Sequence, residues 1–518
     1  MSAEVKNPKS RSRSGGRSGN KRRGGPAIKQ YPWQTVTMPD NPIEPVDADG
    51  VAKIHDTAMR ILEEIGIEFL NPEAAEILRQ HGATVNGENV RFDRDMVMEK
   101  LATAPSQFTM TPRNIDREIT VGGNHILFGN VSSPPNCSDL DNGRRTGTHE
   151  DYRNFLKLTQ YFNCIHFACG YPVEPMDIHP SIRHLDALYD KLCITDKVTH
   201  VYALGKERVE DGMEMIRIAG GLTHEEFDAT PRMYTNINST SPLKHDFPML
   251  DGLMRLTRRG QPTFVTPFTL AGAMAPVTMV GAVTQSIAEA LAAIVLIQCI
   301  NPGCPCAIGT FTSNVDMKTG APAFGTPDYI RATQLTGQMA RFYKLPMRSS
   351  GVCAANVPDG QSIWESMNSM WAAVTSGTNV VYHAAGWLEG GLCASYEKFI
   401  MDCEVLQQFQ AYLQPMVVDD DTLAFDTIKE VGHTGHFFGC QHTQDRYETA
   451  FYNPFLSDWS NFENFEDKGA VWTHQRANKI WKQILDEFEA PPMEQSIKEE
   501  LEAFVAKRKE EGGAPTDF

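Results

Sequence analysis

Short apolar runs alternate with longer amphipathic segments along most of the chain beyond Gly122. The apolar runs are typical of buried strands, and the segments between them place apolar residues at helical spacing. Eight strands are predicted, over residues 126–130, 165–171, 199–204, 232–238, 263–268, 306–311, 347–351 and 379–384. Helices are predicted between them, for example over residues 207–219, 249–259, 280–300, 328–342 and 361–376.

This alternation indicates parallel βα units, and eight such units are the number that closes a barrel. We therefore predict the α/β class and a (β/α)8 TIM barrel over residues 122–394. An open, doubly wound sheet is the alternative. It is disfavoured because no GxGxxG motif follows a strand, and no GxxxxGK[ST] loop is present either.

Three further segments flank the predicted barrel. Helical spacing between residues 47 and 80, with Gly66 as a stop, predicts an N-terminal helical cap over residues 31–121. A long helix from residue 395 opens a C-terminal helical extension over residues 395–518. Residues 1–30 are rich in Arg, Lys, Gly and Ser and nearly lack large apolar side chains, so we predict a disordered basic tail.

Composition narrows the possible partners and the compartment. The net charge of −17 argues against nucleic acid, because phosphate binding requires clustered basic residues. No apolar run reaches the length of a membrane span, and residues 287–300, interrupted by Glu289 and Gln298, are interpreted as a buried helix. The eleven cysteines form no CxxC pair and are expected to be reduced thiols of a cytoplasmic protein. Large barrel enzymes commonly form symmetric assemblies, so a homo-oligomer is expected.

The functional site of a barrel lies at the carboxyl ends of its strands. Here those ends are aromatic or neutral and polar, and the paired carboxylates of a glycosidase are not evident. Phe268 and Phe311 end the fifth and sixth strands and could contact a substrate, with core packing as the alternative. Arg348 in the seventh strand could hold a carboxylate, with a structural ion pair as the alternative.

The stretch with the most candidate functional residues is YHAAGWLEGGL, from Tyr382 to Leu392, which joins the eighth strand to the next helix. Its glycines permit sharp turns and close approach to a ligand. Tyr382, His383, Trp387 and Glu389 could together hold a cation, the rings by cation–π attraction and the carboxylate by charge. The alternative is a glycine-rich loop whose tryptophan packs on the end of the barrel.

One histidine-rich segment is a weak candidate for a metal site. His433, His436, Cys440 and His442 lie in VGHTGHFFGCQH, and their spacing is loosely like that of zinc ligands. The surrounding glycines indicate a turn-rich surface segment rather than the paired loop or helix that orients such ligands. We therefore expect no metal bound by this chain.

Several blocks resemble one known family. They are PDGQ at 358–361, AAVTSGTNVVYHAAGWLEGGLCASYEKFIMDCEVL at 372–406, DMKTGAPAFG at 316–325, GHF at 435–437 with QHT at 441–443, and RAN at 476–478. Together with the predicted barrel, these blocks resemble the trimethylamine/glycine betaine methyltransferase family over roughly four-fifths of the chain. Any one block alone would be weak evidence for this family, whereas the combination of blocks is specific to it.

The resemblance implies a TIM barrel that transfers a methyl group from a methylated amine to Co(I) of a separate corrinoid protein. No tightly bound cofactor is then expected, since the partner supplies cobalamin. One branch of the family uses pyrrolysine for trimethylamine. We place that position at Trp364, a standard residue, so the chain resembles the branch without pyrrolysine, and a quaternary amine is favoured as substrate.

The resemblance also suggests roles for individual residues. His383, Glu389 and Gln361 are the candidate catalytic group, with Glu389 and Gln361 orienting their neighbours, and Tyr382 and Trp387 are placed around the ammonium. The leading hypothesis is conversion of glycine betaine to dimethylglycine. The alternatives are a non-catalytic betaine sensor, another betaine or trimethylamine as methyl donor, and a folate as methyl acceptor.

Overall fold

A computed structural model describes residues 27–516 of the chain. Most of the basic tail predicted over residues 1–30 therefore lies outside the described residues. Residues 27–30, however, belong to the folded chain: Ile28 is 6% exposed, and Gln30 Nε2 donates to the backbone oxygen of Tyr161 at 3.0 Å. The chain is thus anchored slightly before the predicted end of the tail.

The eight predicted strands are all present. They are β1 His125–Phe128, β2 Phe167–Ala168, β3 Val198–His200, β4 Met233–Ile237, β5 Thr263–Val265, β6 Cys306–Gly309, β7 Met347–Ser350 and β8 Val380–Tyr382. Each overlaps a predicted run, because apolar and β-branched residues concentrate where a strand is buried on both faces.

The eight strands close into a barrel. They pair in parallel in the order β2–β3–β4–β5–β6–β7–β8–β1. A parallel bridge between Gly129 and Phe167 joins β1 to β2, and the backbone N–H of His166 donates to the Phe128 oxygen at 2.7 Å. A short strand, Val36–Thr37, pairs antiparallel with the start of β1. The (β/α)8 prediction is confirmed.

A long helix follows each barrel strand. These helices are α1 His149–Tyr161, α2 Pro180–Ile194, α3 Lys206–Ala219, α4 Phe247–Arg258, α5 Met279–Ile300, α6 Pro327–Phe342, α7 Gly360–Ser376 and α8 Tyr396–Tyr412. A further short helix, His224–Ala229, lies between α3 and β4. A proline lies in the first turn of α2, α4 and α6, where its missing N–H costs no hydrogen bond.

The helix α5 is long and apolar enough to cross a membrane by length and composition alone. However, 89% of its apolar window is buried inside the protein. Glu289 in this helix is fully buried and accepts hydrogen bonds from Ser241 Oγ at 2.6 Å and from the Leu243 backbone N–H at 2.8 Å. The helix is therefore a core helix with a satisfied buried carboxylate, as its interrupted apolar pattern predicted.

Aromatic rings fill the barrel, and a hairpin closes its lower end. The Tyr234 ring stacks on Phe264 with centroids 5.1 Å apart, and the Tyr382 ring lies 5.9 Å from Tyr234. The hairpin of Gln107–Met110 and Ile119–Gly122 packs into the same apolar cluster from the amino-terminal ends of the strands. The opposite, carboxyl-terminal end is therefore the only route into the barrel that these described segments leave open.

The segment before the barrel contains strands as well as helices. Its helices are Ala48–Arg60, Pro72–Gln80 and Arg94–Leu101, and its short strands are Ile67–Phe69, Thr84–Asn86 and Asn89–Arg91. The predicted stop at Gly66 has φ +82°, and a Cβ there would lie 2.7 Å from the Val90 oxygen. The predicted helical cap is thus of mixed structure, since strands of three residues are too short to show a period of two.

The segment after the barrel wraps back over its outer surface. Short helices Asp420–Leu423, Phe425–Val431, Gln441–Gln444 and Phe462–Asp467 are followed by two long ones, Thr473–Glu487 and Gln495–Glu510. Trp481 packs on Tyr396 of α8 with ring centroids 4.6 Å apart. Arg508 forms an ion pair with Asp211 of α3 at 2.6 Å. These contacts fix the two long helices against the barrel.

Candidate active site

His383 begins the loop after β8 and lies at the mouth of the barrel. Its backbone has φ +56°, in the left-handed region that residues other than glycine seldom adopt. Its ring centroid is 4.2 Å from that of Trp387 and 5.9 Å from that of Phe311. The left-handed turn thus brings a histidine and a tryptophan of one loop against the phenylalanine that follows β6.

Two more rings complete this cluster. Phe268, after β5, lies 5.2 Å from Phe311, and Phe324 lies 5.1 Å from Phe311 and 6.5 Å from Trp387. Phe268 is only partly buried, whereas Phe311 and Trp387 are 8% and 6% exposed. We call Phe268, Phe311, Phe324, His383 and Trp387 the aromatic cage. Of its five side chains, only Phe268 is partly exposed.

Arg348 lies against the aromatic cage and is 3% exposed. Its Nη1 donates to Ser350 Oγ at 2.9 Å, and its Nη2 lies 3.5 Å from Nε2 of His383. The guanidinium carbon lies 4.2 Å from the ring centroid of Tyr382 and 5.6 Å from that of Phe311. Rings and a hydroxyl, rather than carboxylates, therefore surround this buried cation.

The ring of His383 is neutral in this setting. Burial and the neighbouring Arg348 guanidinium hold the pKa of His383 well below its ordinary value. Because a guanidinium can only donate, Nε2 faces it as the acceptor and the proton resides on Nδ1. Among the described residues, Nδ1 of His383 and Nε of Arg348 have no hydrogen-bond partner. Two buried N–H groups are thus free to bind a ligand.

Among the described residues, Arg348 contacts Ser350, His383 and the rings of Tyr382 and Phe311, and it forms no ion pair with a carboxylate. Burial lowers the pKa of its guanidinium, but the ordinary value is so high that the group keeps its charge. A buried charge without an opposite charge is costly. A small anion beside Arg348 would offset this cost, and the structural ion pair considered as the alternative role is not observed.

The family model described as "Trimethylamine methyltransferase (MTTB)" matches residues 12–513 of this chain. The chain belongs to the trimethylamine methyltransferase family. The predicted resemblance and the predicted methyltransferase class are both confirmed.

Three relatives illustrate its place in the trimethylamine methyltransferase family. A glycine betaine methyltransferase of Desulfitobacterium hafniense is 38% identical, covering 90% of this chain and 97% of that protein. The trimethylamine methyltransferase MttB of Desulfitobacterium hafniense is 28% identical, with 89% and 93% coverage. The proline betaine:corrinoid methyltransferase of Eubacterium limosum is 27% identical, with 86% and 96% coverage.

In this member of the family, a buried ion pair supports the loop that carries the cage. Lys398 pairs with Asp402 inside α8, and their side chains are 0% and 3% exposed. Asp402 also accepts from the backbone N–H of Gly386 at 2.8 Å, and Lys398 donates to Ser366 Oγ of α7 at 2.8 Å. Gly386 has φ +95°, and a Cβ there would meet Phe399 at 3.0 Å. The loop geometry therefore requires a glycine.

Trp387 is held by the loop after β7. Its Nε1 donates to the backbone oxygen of Cys353 at 3.1 Å. The next two backbone N–H groups of that loop, those of Ala354 and Ala355, donate to Glu365 Oε2 at 2.8 and 2.9 Å. Gln361 Nε2 donates to the other oxygen of Glu365 at 2.8 Å. Gln361 thus lies outside the cage, and the structure connects it to Trp387 only through Glu365 and this loop.

The other predicted site residues divide between the cage and its surroundings. Tyr382 is 2% exposed and lies in the barrel interior, in contact with Arg348 rather than with the Phe268 side of the cage. Glu389 forms an ion pair with Arg144 at 2.8 Å and points away from the cage. The structure therefore brings together His383, Trp387, Phe311, Phe268 and Arg348, and leaves Glu389 and Gln361 apart.

Glu389 borders a large groove beside the mouth. The groove has a volume of about 1,250 Å³ and lies between α7, the start of the helix Thr473–Glu487 and the hairpin strands Asn136–Asp139 and Gly143–Thr146. Trp364, where we placed the pyrrolysine position, lines this groove and is 60% exposed. Trp364 is thus outside the barrel interior and apart from the aromatic cage.

Sequence reasoning missed the polar side of the mouth, opposite the cage. Lys191 of α2 is 1% exposed, and its Nζ donates to the backbone oxygens of Cys169 and Gly170 at 2.8 and 3.0 Å. Burial lowers the pKa of its ammonium to about 7. Nε2 of His200 accepts from the Asn236 N–H at 3.2 Å, and its Nδ1 has no partner among the described residues. Neither residue belongs to a recognisable motif.

The histidine-rich segment does not assemble a metal site. His433 and His436 are exposed, Cys440 is buried, and His442 Nε2 donates to the Asp421 backbone oxygen at 3.1 Å. Within residues 27–516, no group of three or more His, Cys, Asp or Glu side chains has the arrangement of metal ligands. The segment is exposed on either side of the buried Cys440 and runs into the short helix Gln441–Gln444.

Proposed function

We propose that this chain demethylates a betaine, most specifically glycine betaine, and passes the methyl group to the Co(I) corrinoid of a partner protein. The observation that carries the proposal is the unpaired, buried Arg348 beside the aromatic cage. A betaine carries a quaternary ammonium and a carboxylate in one molecule. The first group fits the rings, and the second fits the guanidinium.

The size of glycine betaine suits this arrangement. One methylene separates its ammonium nitrogen from its carboxylate carbon, so both groups lie within one small site. The Arg348 guanidinium carbon is 5.6 Å from the Phe311 ring, which places the cation binder and the anion binder side by side. Aromatic faces attract a quaternary ammonium, and Arg binds a carboxylate with two parallel hydrogen bonds.

Charge also favours a zwitterion over a simple cation. Trimethylammonium, choline or tetramethylammonium would bring a second positive charge next to buried Arg348, where little solvent screens the repulsion. The neutral His383 adds no positive charge of its own. A betaine adds a negative charge at the guanidinium and leaves the cage for its ammonium. The site thus supports binding of a molecule with no net charge.

Methyl transfer requires correct placement of the methyl group rather than acid–base catalysis. In the transfer, the methyl C–N bond breaks, its electron pair stays on nitrogen, and a neutral tertiary amine departs, so no proton is required. The reduced corrinoid, arriving as the second substrate, supplies the nucleophile. The rings and Arg348 hold the methyl group in line with the Phe268 side of the cage, which lowers the entropic part of the barrier. Because the nitrogen loses its charge, a cage of neutral rings is suitable.

In this proposal the corrinoid is a second substrate that binds and leaves, and not a cofactor held by this chain. Of the five side chains of the cage only Phe268 is partly exposed, so we place the approach of a large acceptor on the Phe268 side. One relative named a proline betaine:corrinoid methyltransferase and another named an L-carnitine:corrinoid methyltransferase support the same acceptor. All eleven cysteines are free thiols, which agrees with the reducing cytoplasm as the place of action.

The test is a methyl-transfer assay with purified protein. Glycine betaine is mixed with a reduced corrinoid protein, or with free cob(I)alamin, and methylated corrinoid is followed by its absorbance while dimethylglycine is measured by mass spectrometry. We expect both products in equal amounts, and little transfer from choline or trimethylamine. If no betaine in a panel including carnitine and proline betaine yields methylated corrinoid with either acceptor, the proposal is wrong.

A further inference from the structure

A small cavity, here called the lower cavity, lies at the amino-terminal end of the barrel, opposite the aromatic cage. It has a volume of about 120 Å³ and lies where the ends of α2 and α3 meet the start of β3 and the residue before β4. The loop between the two strands of the hairpin forms its remaining wall. Since about 10–15 Å³ is enough for one water molecule, the lower cavity has room for a ligand of several non-hydrogen atoms.

Three buried polar atoms of residues that line the lower cavity have no hydrogen-bond partner among the described residues. They are Nη2 of Arg113, Nε of Arg232 and Oγ1 of Thr199. Thr199 is 4% exposed, so bulk water does not satisfy its hydroxyl. Buried polar groups are normally hydrogen-bonded, and each one left unpaired costs free energy. Three segments of the chain thus bring unsatisfied donors to one cavity.

Arg113 is fixed in place by its other nitrogens. Its Nε donates to the backbone oxygens of Leu192 and Thr195 at 3.1 and 3.3 Å, and its Nη1 donates to that of Pro492 at 2.7 Å. These bonds satisfy carbonyl groups at the end of α2 and leave Nη2 over. A guanidinium that is already ordered loses little side-chain entropy when it binds an oxyanion.

The side chains that line the lower cavity carry positive charge. Arg113, Lys197 and Arg232 line it, and no Asp or Glu of the described residues does. The Lys197 ammonium already donates to two backbone oxygens at 2.6 and 2.8 Å. Asp196 lies beside Arg113, but it accepts hydrogen bonds from two amide side chains at 2.7 and 2.8 Å. The two guanidinium groups are therefore the ones that an anion would pair with.

The rest of the lining is mainly apolar. Its large side chains are those of Ile115, Leu192, Ile216 and Leu222. Ile115 is 71% exposed, so the lower cavity reaches solvent at this residue. A phosphate or sulfate would place unpaired oxygens against these side chains, whereas an alkyl chain gains free energy from burial there. A polar wall facing an apolar wall suits a carboxylate that carries a short apolar tail.

We propose that the lower cavity binds a small organic carboxylate, which pairs with Arg113 and Arg232 and lays its alkyl tail against the ends of α2 and α3. The Thr199 hydroxyl donates a further hydrogen bond to the carboxylate. Because this ligand binds at the end of the barrel opposite the cage, it stabilises the fold and takes no part in methyl transfer. The inference does not depend on which substrate the cage binds.

The experiment is calorimetric titration of the full chain with sodium acetate, butanoate, pentanoate, phosphate and sulfate. Affinity should rise about fourfold for each added methylene until the tail fills the lower cavity. Phosphate and sulfate should bind more weakly than pentanoate, and pentanoate should raise the Tm. The same rise in Tm is expected in Arg348→Gln, because that variant lacks the cation of the cage and keeps the lower cavity intact.

Two variants test the polar wall. Arg232→Met removes one guanidinium and should weaken pentanoate binding roughly ten- to hundred-fold. Thr199→Val removes a hydroxyl that makes no hydrogen bond within the described chain, so the fold should be kept while binding weakens about two- to tenfold. The control Arg331→Met, which changes an exposed arginine of α6, should bind pentanoate as the unmodified chain does.

Several results would overturn the inference. They are no binding of any carboxylate at millimolar concentration, phosphate binding as tight as that of pentanoate, and unchanged affinity in both Arg232→Met and Thr199→Val. Loss of binding in Arg348→Gln alone would assign the carboxylate to the cage instead. A crystal of the full chain soaked in pentanoate gives a direct view, and ordered water alone in the lower cavity would contradict the inference.

Discussion

The guanidinium carbon of Arg348 on β7 lies 4.2 Å from the ring centroid of Tyr382 on the neighbouring strand β8. The ring supports the cation from within the barrel, while the cage borders it on the side of the mouth. The hydroxyl of Tyr382 has no hydrogen-bond partner among the described residues. The pair thus presents a positive charge to the mouth without neutralising it.

Replacing Arg348 should weaken betaine binding selectively. A charge-assisted hydrogen bond contributes about 1.5–3 kcal/mol, so Arg348→Gln should raise KM for glycine betaine roughly ten- to hundred-fold. Steady-state methyl transfer to free cob(I)alamin measures this. The exposed Arg331 of α6 offers a matched control, and Arg331→Gln should leave KM unchanged. An unaltered KM in Arg348→Gln would show that the carboxylate binds elsewhere.

Tyr382 should act through its ring and not through its hydroxyl. Because the hydroxyl is buried without a partner, Tyr382→Phe should change the free energy of unfolding by less than about 0.5 kcal/mol and KM by less than about two-fold. Tyr382→Ala removes a buried ring and should cost about 3–5 kcal/mol. Urea unfolding together with the methyl-transfer assay compares the two. A large rise in KM for Tyr382→Phe would restore a direct role in binding.

Stability should fall in mild acid because several histidines are buried in the neutral form. Burial lowers the pKa of His166 to about 4 and holds those of His200 and His383 well below 6.5. The unfolded chain takes up these protons below pH 6.5 and the folded chain does not, so each such histidine costs about 1.4 kcal/mol per pH unit below 6.5. This loss of stability stops increasing once the pH falls below the pKa that the histidine has in the folded protein.

The measurement is urea unfolding between pH 7.5 and 5. The slope of unfolding free energy against pH should become shallower in His200→Gln, whereas His474→Gln, which removes a histidine outside the barrel, should keep the original slope. An unchanged slope in His200→Gln would mean that this ring is charged in the folded protein.

The pair Lys398 and Asp402 should be sensitive to removal of one partner. Asp402→Ala leaves a buried ammonium unpaired and frees the Gly386 N–H, so a loss of about 3–5 kcal/mol is expected. The double variant Lys398→Met with Asp402→Leu should recover part of the lost free energy of unfolding. The exposed pair Arg60 and Glu64 serves as the control, since Glu64→Gln should leave the free energy of unfolding nearly unchanged. Equal losses in single and double variants would argue against the unpaired charge as the cause.

The barrel could be predicted from the sequence because each βα unit is encoded locally. The apolar run of β6 and the helical spacing of α6 are visible without their neighbours. The hairpin Gln107–Met110 with Ile119–Gly122 was missed, since its partially alternating pattern gains meaning only from the barrel end it closes. Barrel closure itself follows from the number of units.

The site could be predicted only in part. The loop after β8 was identified by its composition, and His383 and Trp387 do lie in the cage. Glu389 was assigned to the same site because it is close in sequence, but Trp387–Leu388 runs as a strand away from the mouth and carries Glu389 to Arg144. Lys191 comes from α2, which lies far from that loop in sequence, and no local pattern marks it.

The loop from His383 to Gly391 has one side in the aromatic cage and the other in the large groove. His383 and Trp387 belong to the cage, and Glu389 faces the groove, with its backbone N–H donating to the Ala355 oxygen at 2.8 Å. One short piece of backbone is therefore a wall shared by two compartments. A molecule that settles in the groove and displaces this wall changes the shape of the cage, so the groove is a place from which a small compound could control turnover without competing with the substrate.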